Sequence, residues 1–211
     1  EDLKRGGSWS GYRAQSADDA AVRALLIYPT NALVEDQITR LRKAAQIASS
    51  ADSGPLFYFG RYTGATLGGV YSPPSKLTAA DCKKINEVAR ELRAIEKESH
   101  NVKNEDSDKG DLFSDPLCGE MLTRWDMVAT PPDILITNTS MLNVMLMRSL
   151  EERVFEKTRS WLEKSESNQF TLVIDELHSY RGTQGTEVSM VIRNLLDRLG
   201  LEPGSRQLRC L

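Results

Sequence analysis

The sequence predicts an α/β protein with a mostly parallel sheet flanked by helices. Short, continuously apolar segments alternate with longer segments whose apolar residues recur at helical spacing, which is typical of βα units. The short segments have the composition of strands buried on both faces, the kind found in parallel sheets. Residues 68–127 interrupt the alternation and predict a largely helical and loop insertion within a single domain, residues 1–211.

The composition is that of a globular protein and argues against several classes. Of the 211 residues, 40% are hydrophobic and 27% are charged, which fits a chain with a sizeable core. No apolar run approaches the ~20 residues of a membrane span, and the chain opens without a charged-then-apolar leader, so we expect a cytoplasmic protein without membrane contact. The cysteines, Cys82, Cys118 and Cys210, form no CxxC pair, which argues against a zinc site.

The first half of the chain begins with a strand and a helix. The strand, residues 23–28, is closed by Pro29, and Thr30 or Asn31 can cap the helix that follows. The two faces of that helix differ in polarity. Leu33, Ile38, Leu41 and Ala45 share the inner face, and Arg40, Arg42 and Lys43 are expected to point outward.

The predicted insertion follows a second strand at residues 56–62. Gly68-Gly69 and Pro73-Pro74 break regular structure, and Thr78 then caps a long helix. The apolar residues of that helix are Ile85, Val88, Leu92 and Ile95. Residues 96–111 are charged and polar, so we expect an exposed or disordered loop there.

The second half of the chain resumes the alternation. The predicted strands are 133–136, 171–174 and 207–211, and the predicted helices are a segment with Met141, Leu142, Met145 and Leu146, then 150–164 and 186–199. Gly200 is placed to end the last helix as a C-cap.

Two carboxylates and a histidine follow the strand at 171–174, namely Asp175, Glu176 and His178. In open parallel sheets, ligands bind beyond the carboxyl ends of the strands. One carboxylate can hold Mg²⁺ while the other orients the water that attacks a γ-phosphate. The same pair can also simply begin a loop or cap a helix, so the pattern needs support from elsewhere in the chain.

That support comes from the ends of the other strands, which also carry small polar residues. The four clusters are residues 29–31, 62–64, 137–139 and 175–176. We expect them to line one edge of the sheet, where hydroxyls, amides and helix N-termini can donate to phosphodiester oxygens without base preference. The net charge of −3 argues against a protein that coats duplex DNA by bulk electrostatics, but not against one that grips a strand in this way.

In sequence, these segments resemble the motifs of superfamily-two helicases of the DEAD/DEAH-like (DExH) type. Residues 28–37 resemble motif Ia, residues 61–64 and 132–138 the next strand-contacting motifs, and residues 173–178 motif II, the Walker B box. Residues 179–185 are similar to a narrower branch that holds bacterial repair helicases and phage-defence helicases such as those of DISARM. The resemblance implies an incomplete first RecA-like lobe, the P-loop NTPase fold, with residues 68–127 inserted.

The resemblance also implies roles for individual residues. Asp175 would hold the Mg²⁺ of Mg-ATP, Glu176 would activate the attacking water, and His178 would connect the nucleotide site to a second RecA-like lobe. The implied nucleic-acid contacts are Thr30, Asn31, Arg61, Thr63, Gly64, Thr137, Asn138 and Arg181. The implied partners are single-stranded or duplex DNA in preference to RNA, the rest of the helicase and, in a defence system, a partner subunit.

One expected motif is missing, because no glycine in the sequence is followed by lysine and the Walker A loop is therefore absent. We expect the chain to be an internal part of a larger ATP-dependent helicase and to hydrolyse no ATP alone. A second hypothesis is that the chain is a RecA-like module that binds nucleic acid or a partner without hydrolysing ATP. A third is a metal-dependent nuclease or phosphatase using Asp175, Glu176 and His178. This third hypothesis is weak, because a two-metal site needs further acidic residues at the same edge of the sheet. Asp133 begins its strand and would therefore lie at the opposite edge.

Overall fold

The computed structural model is built on an all-parallel sheet. The described residues are 4, 13, 19–48, 55–68, 76–105 and 118–211. The strands are β1 (Ala24–Tyr28), β2 (Phe59–Tyr62), β3 (Ile134–Asn138), β4 (Phe170–Ile174) and β5 (Leu208–Cys210). They pair in the order β2-β3-β1-β4-β5, and every pairing is parallel. The predicted fold class is confirmed, and the arrangement is consistent with a RecA-like lobe.

The described residues also form six α-helices. They are α1 (Asn31–Ala48), α2 (Ala79–Glu105), α3 (Arg124–Ala129), α4 (Thr139–Met147), α5 (Glu152–Lys164) and α6 (Thr183–Leu199), with 3-10 turns at Ser149–Glu151 and Leu177–Ser179. In the part of the chain that the structure describes, no helix combines the length and apolar character needed to cross a membrane.

The sheet has a hydrophobic core on each side because successive strand residues point to opposite faces. Leu25 and Ile27 of β1 belong to the larger core, which α3, α4, α5 and α6 cover. Tyr28 belongs to the smaller core, which α1 covers. Burial on both faces is what the uninterrupted apolar segments predicted.

Two predicted helix ends are confirmed by their hydrogen bonds. The Thr78 hydroxyl accepts a hydrogen bond from the Asp81 N–H at 3.2 Å, and the Asp81 carboxylate accepts one from the Thr78 N–H at 3.0 Å, a reciprocal cap at the start of α2. Gly200 follows α6 with a left-handed φ of 69° and donates its N–H to the Asp197 carbonyl at 3.2 Å.

The prediction that Arg42 points outward is wrong. Its Nε and Nη2 donate to the two carboxylate oxygens of Glu120, both at 2.8 Å, and both side chains are buried. Arg42 lies four residues after Ile38 and so shares its buried face. The prediction went wrong because the acid that compensates its charge is 78 residues away in the sequence.

The structure describes two parts of the predicted insertion, residues 76–105 and 118–127. α2 continues to Glu105, so the prediction of a loop at residues 96–111 is wrong as far as residue 105, and residues 106–111 lie outside the described residues. Glutamate and lysine, which recur in this part of α2, have high helix propensity. At the other end, Met121 and Met127 are in the larger core, and the Met121 N–H donates to the Phe59 carbonyl at 2.7 Å. Residues 118–127 therefore contribute side chains to the larger core and a hydrogen bond beside β2.

Candidate functional site

The polar ends of four strands meet at one edge of the sheet, here called the rim. The parallel register aligns Tyr62 with Thr137, Tyr28 with Asn138, and Ile27 with Ile174. The clusters that follow β2, β3, β1 and β4 therefore lie side by side in that order. The predicted strand-contacting residues and the acid pair, far apart in the sequence, share one edge.

The acid pair lies in a tight turn, residues 175–178, here called the acid turn. The Asp175 N–H donates to the Ile27 carbonyl at 3.0 Å, which fixes the start of the turn against β1. Glu176 has φ 52° and ψ 37° and is the one non-glycine residue with positive φ among the described residues. A side chain costs about 1–2 kcal/mol in this left-handed conformation. The turn is therefore strained at the residue predicted to activate water.

The histidine of the acid turn contacts this same glutamate. The His178 Nε2 lies 3.1 Å from the Glu176 carboxylate, and the two side chains are 73% and 47% exposed. Contacts this exposed add little stability. Both groups therefore remain available to an incoming ligand or domain.

Two tyrosines that the sequence analysis did not single out flank Asp175. Burial raises the pKa of the Tyr28 phenol, and the Asp175 carboxylate raises it further. Burial likewise raises the pKa of Tyr180, with Asp175 adding to the rise. The Tyr180 hydroxyl is buried beside the Thr139 side chain, which counteracts part of this rise. The sequence signal that could have pointed to these tyrosines was their position: Tyr28 directly precedes Pro29, and Tyr180 lies two residues after His178.

The next part of the rim presents exposed polar side chains. Thr30 and Asn31 are exposed, and the Asn31 Oδ1 accepts a hydrogen bond from the Asn138 Nδ2 at 2.7 Å. The Asn138 Oδ1 accepts one from the Met141 N–H at 2.7 Å, which makes Asn138 the N-cap of α4. Asn138 thus caps a helix and also joins two predicted strand-contacting segments.

The two threonines nearest β2 are buried. Thr137 is 0% exposed and its hydroxyl donates to the Tyr62 carbonyl at 2.7 Å. Thr63 is 2% exposed, and its N–H donates to the Thr66 hydroxyl at 2.9 Å. Neither side chain reaches a ligand in this conformation, whereas Gly64 is exposed. In the structure these threonines form hydrogen bonds with the end of β2 and the turn after it. Their predicted nucleic-acid contact stays a prediction.

The two predicted arginine contacts differ in their surroundings. Arg61 is mostly buried and forms an ion pair with Glu35 of α1. Arg181 is exposed, and its Nε donates to the His178 carbonyl at 3.1 Å, which supports the end of the acid turn. Arg181 can therefore reach a ligand directly, whereas Arg61 would first have to leave its partner.

The acid turn has the donor chemistry that magnesium requires. Carboxylate oxygens are preferred Mg²⁺ ligands, and Mg²⁺ in nucleotide sites takes one or two of them together with phosphate oxygens. No described residue forms an ion pair with the Asp175 carboxylate. Among the described residues, no group of three or more His, Cys, Asp or Glu side chains forms a metal site made of protein ligands alone.

Asp133 lies at the opposite edge, as its position at the start of β3 indicated. Its carboxylate accepts hydrogen bonds from Arg13 at 3.0 Å, from Arg23, and from the Tyr58 N–H at 2.8 Å. Asp133 therefore neutralises buried arginine at the base of the sheet and cannot join Asp175 in a two-metal site.

The chain is similar to Druantia protein DruE of Escherichia coli. The two are 35% identical over 244 aligned positions, which cover 96% of this chain and 13% of that protein. The chain thus spans about an eighth of the length of the relative it matches. No protein-family model matches the chain, and no solved structure does so either.

Proposed function

We propose that the chain is part of the motor domain of an ATP-dependent DNA helicase or translocase, within its first RecA-like lobe, and that this motor acts in phage defence. The observation that carries the proposal is the rim, where the acid turn lies directly beside the strand ends predicted to contact a nucleic acid. A motor needs these two sites next to each other, because hydrolysis at one must change the grip at the other. The similarity to Druantia protein DruE supports the defence role.

In this proposal the residues of the rim divide the work. Asp175 would hold the Mg²⁺ of Mg-ATP, Glu176 would orient the attacking water, and His178 would face a second RecA-like lobe. Bound Mg²⁺ neutralises charge on the phosphates. The exposed groups of the rim would contact the strand backbone, and the buried threonines would shape that surface. These accessible groups are the exposed Thr30, Asn31, Gly64 and Arg181 and the partly exposed Asn138.

The test is an ATPase assay on the full-length protein that contains this chain, with and without single-stranded DNA. Glu176→Gln should lower DNA-stimulated turnover by about 100-fold or more. The matched control is Glu166→Gln, which removes an exposed carboxylate from the turn before β4, at the opposite edge. The same variants, tested for protection of cells against phage, probe the defence role separately.

A second candidate is a RecA-like module that binds nucleic acid without hydrolysis. The lack of any Gly-Lys pair in this sequence favours it for the chain in isolation. A full-length protein that binds DNA, shows no DNA-stimulated turnover and is unaffected by Glu176→Gln would establish this candidate. Single-stranded RNA in place of DNA tests the remaining choice of nucleic acid.

A further inference from the structure

A buried arginine holds the turn that follows β2. Arg124 of α3 is 8% exposed, and its Nη2 donates to the Thr63 carbonyl at 2.6 Å and to the Gly64 carbonyl at 3.1 Å. The peptide bonds here are trans, so each carbonyl points away from the N–H of the same peptide unit. With both oxygens directed at Arg124, the N–H groups of Gly64 and Ala65 are directed away from it.

These N–H groups face open space. Gly64 and Ala65 are exposed, and a Cβ added at Gly64 would meet nothing within 4 Å. Neither N–H donates a hydrogen bond to a described residue. Two consecutive free amides are good donors to a phosphodiester, provided that their direction is fixed.

Arg124 belongs to a buried polar network. Its members are Tyr62, Thr63, Arg124, Thr137 and Glu151. The guanidinium lies over the Tyr62 ring, 5.5 Å from its centre. The Tyr62 hydroxyl donates to the Glu151 carboxylate at 2.8 Å, and the Thr137 hydroxyl donates to the Tyr62 carbonyl at 2.7 Å. Glu151 is 0% exposed. The network thus joins α3, β2, β3 and the turn before α5.

This network is an inefficient way to gain stability. The Arg124 Nε and one Glu151 carboxylate oxygen are buried without hydrogen-bond partners. Desolvated charges that are only partly satisfied cost free energy, and apolar side chains of similar size often stabilise such a position as well or better. What apolar side chains cannot do is orient two peptide carbonyls.

We propose that Arg124 is a positioning residue of the strand-contacting turn: it directs the Gly64 and Ala65 amides toward one phosphate of the bound strand. This inference rests on the proposed function. It also gives a role to the end of the predicted insertion, since α3 brings Arg124 under the rim.

The test uses the full-length protein and measures its affinity for labelled single-stranded oligothymidylate at several salt concentrations. Arg124→Gln removes the charge, and Arg124→Lys keeps the charge but cannot reproduce the planar guanidinium. The matched control is Arg159→Gln, which removes an exposed arginine of α5 that pairs with Glu163. We expect Arg124→Gln to weaken DNA binding about tenfold, Arg124→Lys to be intermediate, and the control to be unchanged.

Two further readouts separate positioning from a general structural role. Because the Gly64 and Ala65 amides are uncharged, losing their contact releases no counterion, so the slope of log Kd against log salt should stay unchanged, whereas loss of a direct arginine–phosphate contact would reduce it by about 0.7. The KM for ATP should stay within about twofold of the unmodified protein. If Arg124→Gln does not fold, Arg124→Lys decides. A folded Arg124 variant with unchanged DNA affinity overturns the inference, as does a reduced salt slope or an equal loss of ATP and DNA binding. If the unmodified protein binds no DNA, the proposed function fails and this inference with it.

Discussion

The two halves of the rim are built in opposite ways. On the β2 and β3 side, the buried polar network leaves its carbonyls and hydroxyls little freedom. On the β1 and β4 side, the acid turn is largely exposed, carries a left-handed glutamate and is held mainly by backbone hydrogen bonds. One half is fixed by burial, and the other is left accessible.

Under the proposed function, this difference suits a site that holds a nucleic-acid strand in place and hydrolyses ATP beside it. Groups that grip a strand benefit from fixed directions, which a buried network provides. Groups that carry out chemistry must be reachable and able to change partners, and local strain is common at such positions. Four predictions test whether the two halves really differ in this way.

The largest effect is expected at the buried Arg42–Glu120 ion pair, which joins α1 to the segment beside the start of β2. Arg42→Met removes the guanidinium that donates to both oxygens of the buried Glu120 carboxylate, which should lower the free energy of unfolding by about 3–5 kcal/mol. Arg40→Met removes an exposed arginine of the same helix, which pairs with Asp36, and should cost about 0–1 kcal/mol. Urea unfolding followed by tryptophan fluorescence measures both. Equal losses would show that burial does not distinguish the two pairs.

The second prediction concerns the strain in the acid turn. Glu176→Gly and Glu176→Ala both remove the carboxylate, but only glycine adopts the left-handed conformation without a Cβ penalty. The glycine variant should therefore be the more stable by about 1–2 kcal/mol. The same unfolding experiment compares the two directly. An alanine variant of equal or greater stability would mean that the turn is not strained at this residue.

The third prediction separates the two asparagines that join the halves. Asn138→Ala removes the N-cap of α4 as well as the bond to Asn31 and should cost about 1 kcal/mol. Asn31→Ala removes only the exposed bond and should cost less, about 0.5 kcal/mol. Thermal unfolding of the two variants side by side checks the order. The reverse order would mean that the contact across the rim matters more than the cap.

The smallest effect on stability is expected at the exposed histidine. His178→Gln should change the free energy of unfolding by no more than about 0.5 kcal/mol, because its side chain is 73% exposed. Under the proposed function it should still reduce DNA-stimulated ATP turnover of the full-length protein. A large loss of stability would contradict the view that this half of the rim is loosely held.

Much of the fold could be predicted because local sequence carries the relevant physics. The strand segments are continuously apolar, and the ends of α2 and α6 carry side chains or a glycine suited to capping. The co-location of the four polar clusters also followed, since parallel strands present their carboxyl ends at the same edge. The predicted roles of the site residues stay predictions.

Other features could not be predicted because they depend on partners distant in the sequence. Helical spacing placed Arg42 close to the buried face, but nothing nearby announced Glu120. The burial of Thr63 and Thr137 depends on Arg124, Tyr62 and Glu151, which come from separate segments. Motif reasoning therefore could not identify the residues that support the turn after β2.

The sequence by itself determined the parallel α/β architecture and which residues lie at the rim, because apolar periodicity and strand direction are local properties. Only the tertiary structure decided which rim residues are exposed to solvent and which are buried. That choice depends on packing and on charge compensation between distant segments, and no short stretch of chain contains both partners.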